Sequence, residues 1–289
     1  MNEERKKLTK ESLDPKSLDS YFQKQTLRLE RALDGFLPKP SQNLAQIHEA
    51  MRYSVLNGGK RIRPLLCLAV CDTLGGDEKE AMIPACAVEL IHSYSLIHDD
   101  LPCLDNDEFR RGQLTCHKKF GEAIALLAGD ALLTLSFQVV GQLKNSQKVH
   151  RISKELSQAA GTFGMVGGQV MDILLDKGEI DLPTLDAIHI QKTGQLIKTS
   201  CLAGAIIAGA KPEVEKHILR FGEYLGFAFQ IVDDILDGDG YLRFMSAHEA
   251  RVKVREIIAK AKKELKSFKN NLHLMRITDF ILSRSGEET

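Results

Sequence analysis

The sequence predicts an all-α protein built as a single-domain helical bundle. Three observations carry this. Apolar residues recur at helical spacing along almost the whole chain, glycine and proline pairs punctuate the runs, and no alternating strand pattern or hairpin turn stands out. No internal repeat or low-complexity linker divides the chain, and 289 residues are enough to bury a large core.

The elements follow in order. Residues 1–18 are polar and are expected to be only partly ordered, leaving 19–289 as the folded domain. Leu27, Leu29, Leu33 and Phe36 form an apolar stripe that stops at Pro38 and Pro40. Ile47, Met51 and Val55 continue to a stop at Gly58-Gly59, and Leu65 to Leu74 ends at Gly75-Gly76. Ala81 to Ile97 is apolar nearly all round, the pattern of a central buried helix. Further long helices are expected over Ala123 to Leu143, Ile152 to Leu175, Leu182 to Ala210 and Val214 to Leu236. A basic amphipathic helix from Ala247 to Phe268 and a short one from Leu272 to Leu282 complete the set.

Composition excludes several classes of function. Lys+Arg and Asp+Glu both number 39, so no global field draws the chain to nucleic acid or a membrane surface. The longest apolar stretch is taken as Cys201 to Ala210, far short of a bilayer span. The N-terminus is too charged for a signal peptide. The six cysteines show no CxxC or zinc spacing, as expected for small core residues in a reducing compartment. Together these place the protein in the cytoplasm.

The charge that matters is local. Asp99-Asp100-Leu-Pro-Cys-Leu-Asp105 and Asp233-Asp234-Ile-Leu-Asp237 each follow a strongly apolar helical run, where a carboxylate is costly unless paired or metal-bound. Asp233 and Asp237 are one helical step apart and share a face, with Asp234 about 100° round. Pro102 predicts that the helix before Asp99 ends there and that the chain bends to return Asp105. Two such carboxylate groups facing each other suit hard divalent cations shared with a diphosphate. A calcium loop fits less well, because its glycine and terminal glutamate are missing after Asp105-Asn106-Asp107. A second, metal-free diphosphate would need cationic donors, which Lys60, Arg63, His92 and Arg111 supply. Lys60 and Arg63 also follow Gly58-Gly59 at a helix start, which favours anions.

In this order, Gly58-Gly59-Lys60-Arg61-Ile-Arg63-Pro64, Ser95 through Asp100-Leu-Pro to Arg110-Arg111-Gly112, Gly168-Gln169, Lys192-Thr193-Gly194 and Phe229-Gln230 through Asp237 closely resemble the trans-isoprenyl diphosphate synthases. These are the farnesyl and geranylgeranyl diphosphate synthases, and the match is to the bacterial type. The resemblance implies helices around a deep central cavity, and a homodimer with no membrane span and no nucleic-acid partner. It implies transfer of an allylic group from dimethylallyl or geranyl diphosphate to isopentenyl diphosphate, with several magnesium (Mg2+) ions held by Asp99, Asp100, Asp105, Asp233, Asp234 and Asp237. Arg110 then resembles a ligand of the allylic diphosphate, while Lys60, Arg63, His92 and Arg111 resemble the isopentenyl-diphosphate site. Lys192, Thr193 and Gln230 resemble the residues beside the breaking bond, with Gln169 and Asp172 supporting that wall. Tyr94 and Ser95 lie at the positions that set product length; the bulk of Tyr94 favours farnesyl diphosphate, and the small Ser95 leaves geranylgeranyl diphosphate open.

Past Asp237 the chain departs from the resemblance. A lysine-bearing loop longer by about 20 residues is expected there, yet Gly238 to Met245 lead straight to Ala247. The favoured reading is that a mobile lid belongs at this point and is missing between Asp237 and Ala247. The alternative is a true deletion that removes a diphosphate-binding lysine, which would suit a non-catalytic regulatory subunit of the same fold. A terpene cyclase is a third possibility, but it would not need the Lys60, Arg63 and Arg111 cluster. The chain's end lacks a strongly basic terminus, and only Arg284 stands in for one.

Overall fold

The computed structural model describes residues 15–175 and 181–286. The rest of the polar segment, residues 1–14, lies outside the described residues. The main helices are α1 (Pro15–Phe36), α2 (Ala45–Leu56), α3 (Ile62–Thr73), α4 (Glu78–Asp99), α5 (Cys116–Phe120), α6 (Glu122–Val140), α7 (Ser146–Ala160), α8 (Met165–Leu175), α9 (Leu182–His189), α10 (Gln195–Ile207), α11 (Pro212–Asp237), α12 (Ala247–Glu264) and α13 (Leu272–Ser283). The all-α expectation holds.

Helix α4 is the axis of the bundle. Asp77 caps its start by accepting from the Lys79 N–H, and Glu78 and Glu80 complement the positive end of the helix dipole. Most of its residues are buried around the full circumference, because α3 and α6 pack on it from different sides. One core surrounds α4 and α6. A second joins α3, α10, α11, α12 and α13. The site lies where the C-terminal ends of α4 and α11 approach one cavity.

Several expectations need correction. Leu27 is 54% exposed, and the buried stripe is Leu29 and Leu33 on α1, continued by Leu37 just past its end. Ile152 to Leu175 is two helices, because the chain turns at Gly161-Thr162-Phe163-Gly164. The run from Leu182 to Ala210 contains a π-helical turn, Ile190–Gly194. The longest apolar helix is α6, not Cys201 to Ala210: it is long and apolar enough to cross a membrane by length and composition, but it packs along α4. A short hairpin was also missed. Phe109–Arg110 pairs with Gln113–Leu114 through Arg111 and Gly112, both at positive φ (54° and 76°). That geometry is a primed two-residue turn, in which glycine at the second position is favoured.

The missing-lid reading fails as well. Residues 237–247 are joined directly. Gly238 ends α11 in the left-handed region, a 3-10 turn spans Gly240–Arg243, and Ser246 starts α12 in a reciprocal capping box with Glu249. Tyr241 in this connection is fully buried. A segment whose middle residue is core is a fixed joint, not a lid.

Candidate active site

One cavity of about 1100 Å³ brings the separate motifs together. Lys60, Arg63, His92, Tyr94, Ser95, Asp99, Arg110, Arg111, Lys192, Thr193 and Asp233 all line it, along with Gln169, Phe229 and Arg284. Asp100, Asp105, Gln230, Asp234 and Asp237 do not line it. Asp105 and Asp237 are exposed, Gln230 is half-buried and Asp100 and Asp234 are buried.

The first acidic cluster forms as the bend predicts. Helix α4 stops at Asp99, and the Asp105 N–H donates to the Asp99 carbonyl at 2.9 Å. Burial pushes the Asp99 carboxyl up to about 6; Lys192 opposes this, and the Asp105 charge reinforces it. Asp100 faces away from the cavity and accepts from Arg110 Nε at 2.6 Å. Arg110 also reaches Asp107 at 3.1 Å, so its guanidinium is neutralised on the protein side.

On the opposite wall, Asp233 accepts from Arg284 at 2.8 Å, and the Arg284 guanidinium lies 5.1 Å from the centre of the Phe229 ring. Arg284 therefore belongs to the site more firmly than its isolated place in the sequence indicates. Burial also pushes the Asp234 carboxyl up to about 6, against hydrogen bonds from the Tyr241 N–H and Gln230 that lower it.

The basic end is assembled by backbone strain and glycine. Arg61 sits at φ 52° just before α3, which turns Lys60 and Arg63 toward the cavity while Arg61 itself is buried against Glu89. Arg111 donates to the Gly58 carbonyl and lies over Gly59, where a Cβ would come within 2.6 Å of its guanidinium. His92 is held neutral by burial and by the neighbouring Arg63 and Arg111 charges, with Arg63 Nη1 3.4 Å from its Nε2. Burial likewise lowers the affinity of Lys60 for its proton, with Arg284 adding to the effect.

The third wall is the π turn. Its wider winding presents Lys192 and Thr193 to the cavity, and such turns recur at functional sites. Lys192 Nζ pairs with Asp172 at 2.6 Å. The turn fits because α8 and α11 offer bare backbone: a Cβ on Gly168 would lie 2.3 Å from the Lys192 nitrogen, and one on Gly226 would lie 2.9 Å from Gly194 Cα. Gln169 Oε1 is buried on this wall without a partner, leaving one free acceptor beside Lys192 and Thr193. Below, Tyr94 packs edge-to-face on His98, whose Nε2 meets the Leu126 carbonyl at 3.0 Å. Met165, Val166 and Val170 give the lower cavity an apolar side. His98 stands within the motif from Ser95 to Asp100 but received no role from the sequence, and the valines were missed because their only signal was spacing relative to Gln169.

The donor chemistry fits hard divalent cations. The acidic groups are all carboxylates, burial raises the proton affinity of Asp99, Asp100, Asp105, Asp233 and Asp234, and among the described residues no three gather closely enough to cage an ion alone. Cations shared with a phosphate ligand meet that description. Fold and site thus define an all-helical protein in which one cavity joins carboxylates at the ends of two helices to a cluster of cationic side chains.

The comparisons agree. A family model described as polyprenyl synthetase matches residues 44–241, and the chain belongs to that family, the trans-isoprenyl diphosphate synthases. It is 40% identical to a dimethylallyltranstransferase of Fischerella ambigua over 93% of this chain and 84% of that one. It is 47% identical to the large subunit 1 of a chloroplastic heterodimeric geranylgeranyl pyrophosphate synthase of Arabidopsis thaliana, over 78% of this chain but only 62% of that relative's length. The apo crystal structure of a farnesyl/geranylfarnesyl diphosphate (FPP/GFPP) synthase from Zymomonas mobilis superposes with a TM-score of 0.89 at 34% identity, over 92% of this chain and 99% of that one.

Proposed function

We propose that this protein condenses isopentenyl diphosphate head-to-tail with dimethylallyl or geranyl diphosphate, in the presence of Mg2+, to give farnesyl diphosphate. The carrying observation is that one cavity joins Asp99 and Asp233 to the Lys60, Arg63 and Arg111 cluster above an apolar lower wall. Asp99, Asp105, Asp233 and Asp237 would hold the ions at the mouth. Bound Mg2+ would supply positive charge to the departing diphosphate as its carbon–oxygen bond breaks. Lys60, Arg63 and Arg111 bind the isopentenyl diphosphate and orient its double bond. The Lys192 ammonium holds the leaving diphosphate. Thr193 and the unpartnered Gln169 oxygen face the allylic cation, with Gln230 behind them. The double bond attacks, and the proton lost from the adjacent carbon passes to the released diphosphate, so no side-chain base is needed.

Incubation of the purified chain with Mg2+, isopentenyl diphosphate and each allylic starter, followed by chromatography of the dephosphorylated products, tests this reading. A fifteen-carbon alcohol is expected. No product from the chain alone would favour the regulatory-subunit reading, for which the short joint after Asp237 is the specific support. A twenty-carbon product is the second reading, favoured by Ser95 in the cavity wall and by the geranylgeranyl synthases among the relatives.

Tyr94→Ala is expected to lengthen the product by at least one five-carbon unit, because it removes the ring that packs on His98 beneath the metal-binding end of α4. An unchanged product would remove Tyr94 from the length-setting role. We include a homodimer and a cytoplasmic setting in the proposal. The exposed Leu126 and Leu127 on α6 support the former, and the six unpaired cysteines the latter. Light scattering of the purified chain reports the dimer.

A further inference from the structure

The second acidic cluster is tied from behind by a contact that the proposed chemistry does not use. Asp234 turns away from the cavity, and its Oδ2 accepts from the Tyr241 N–H at 2.9 Å. Its backbone carbonyl takes the Gly238 N–H at 2.9 Å and the Asp239 N–H at 3.2 Å. Gly240, at φ 57°, lies so close that an added Cβ would come within 2.1 Å of the Asp234 carboxylate. The short joint is thus folded onto this one side chain.

Tyr241 carries the contact onward. It is fully buried, its hydroxyl donates to Asp186 on α9, and its ring stacks on His189 at 5.7 Å with an interplanar angle of 26°. The Lys253 ammonium of α12 lies 4.6 Å from the same ring. His189 Nε2 is 3.5 Å from Asp234 Oδ2 and is the last residue before the π turn that carries Lys192 and Thr193. One tyrosine therefore touches the helix bearing the second acidic cluster, the helix leading into the catalytic wall, and the helix that closes the bundle.

We propose that Tyr241 is a positioning residue that sets the spacing between the metal-facing end of α11 and the π turn holding Lys192 and Thr193. A buried hydroxyl and a buried carboxylate each lose free energy if left unpaired, so the Asp186–Tyr241–Asp234 chain has one well-satisfied arrangement. The arrangement holds a supporting shell rigid where no long loop is available to close over the site. This inference rests on the prenyl-transfer reading.

The test measures binding of Mg2+ with inorganic pyrophosphate by titration calorimetry, beside steady-state kinetics. Tyr241→Phe keeps the ring and removes the hydroxyl. It is expected to weaken pyrophosphate uptake in the presence of Mg2+ by about 10-fold and to lower kcat, leaving KM for isopentenyl diphosphate unchanged. Asp186→Ala should match it, and the double variant should be no worse than either, because the two act as one unit. Asp186→Asn keeps an acceptor oxygen and should recover most of the affinity. Should Tyr241→Phe not fold, the Asp186 pair decides alone. Unchanged pyrophosphate binding and kcat in a folded Tyr241→Phe or Asp186→Ala variant would overturn the proposal. Weakening that falls equally on KM for isopentenyl diphosphate would do the same. An unmutated chain that takes up no pyrophosphate with Mg2+ would overturn the prenyl-transfer reading itself, and the proposal with it.

Discussion

Asp99→Asn is expected to reduce turnover by about 10²–10³-fold, the usual loss when a main electrostatic contact to a leaving group is removed, while making the metal-free protein harder to unfold. Both effects follow from one feature. Asp99 is a largely buried carboxylate whose proton affinity is raised by burial and by the Asp105 and Asp100 charges, only partly offset by Lys192 and Arg110. Its folded-state pKa, about 6, lies above the ordinary carboxylate value, so the contribution of this group to stability is greatest in acid and is lost as pH rises through about 6. The metal-free protein should therefore gain stability between pH 7 and pH 5, with Asp234, also near 6, adding to the slope. Asparagine removes the charge and keeps the shape. At pH 7 the variant should gain roughly 2 kcal/mol, less at pH 5, and its pH dependence should flatten. Thermal unfolding at both pH values without divalent metal checks the sign. A variant less stable than its parent at pH 7 would show that the Asp99 charge is not a source of strain. Near-normal turnover would remove Asp99 from the chemistry.

The sequence made some parts of this arrangement readable and hid others for physical reasons. The bend after Asp99 was legible because Pro102 cannot continue a helix, and the shared face of Asp233 and Asp237 followed from a four-residue step. Local rules govern both. The orientation of Asp100 and Asp234 was not legible, since their carboxylates point to partners, Arg110 and the Tyr241 N–H, that only the folded chain brings near. The π turn was also hidden: a single extra residue per turn leaves the apolar period of Leu182 to Ala210 almost unchanged, though it decides where Lys192 points. The hairpin at Arg111-Gly112 was passed over because its strands are two residues long and carry no alternation. Arg284 looked incidental as an isolated arginine, and only the packing of α13 brings it to Asp233. The joint after Asp237 misled in another way. Comparison with longer relatives makes it look like a gap, whereas the buried Tyr241 makes it a closed unit.

Glu89→Gln should be the most destabilising conservative change in the protein, at about 3–5 kcal/mol. Glu89 and Arg61 form an ion pair whose side chains are 2% and 0% exposed, and Arg61 also donates to the Val55 carbonyl at 2.7 Å. The Arg61 side chain is buried, so glutamine leaves a buried guanidinium without its counter-charge. The same carboxylate also favours the charged forms of Arg63 and Arg111, so one buried anion offsets three cations under the basic end of the cavity. The variant's net field there becomes more positive, and a bound diphosphate is then the nearest replacement for the lost charge. Inorganic pyrophosphate should consequently raise the unfolding midpoint of Glu89→Gln by more than it raises that of the parent, while Arg61→Met with Glu89→Leu, which removes both charges, should recover most of the stability and lose the extra response. Urea unfolding of the three chains with and without pyrophosphate measures this directly. Equal midpoints for parent and Glu89→Gln would mean that Arg61 finds water or another anion on its own. An identical pyrophosphate response would mean that Glu89 does not act on the diphosphate pocket at all.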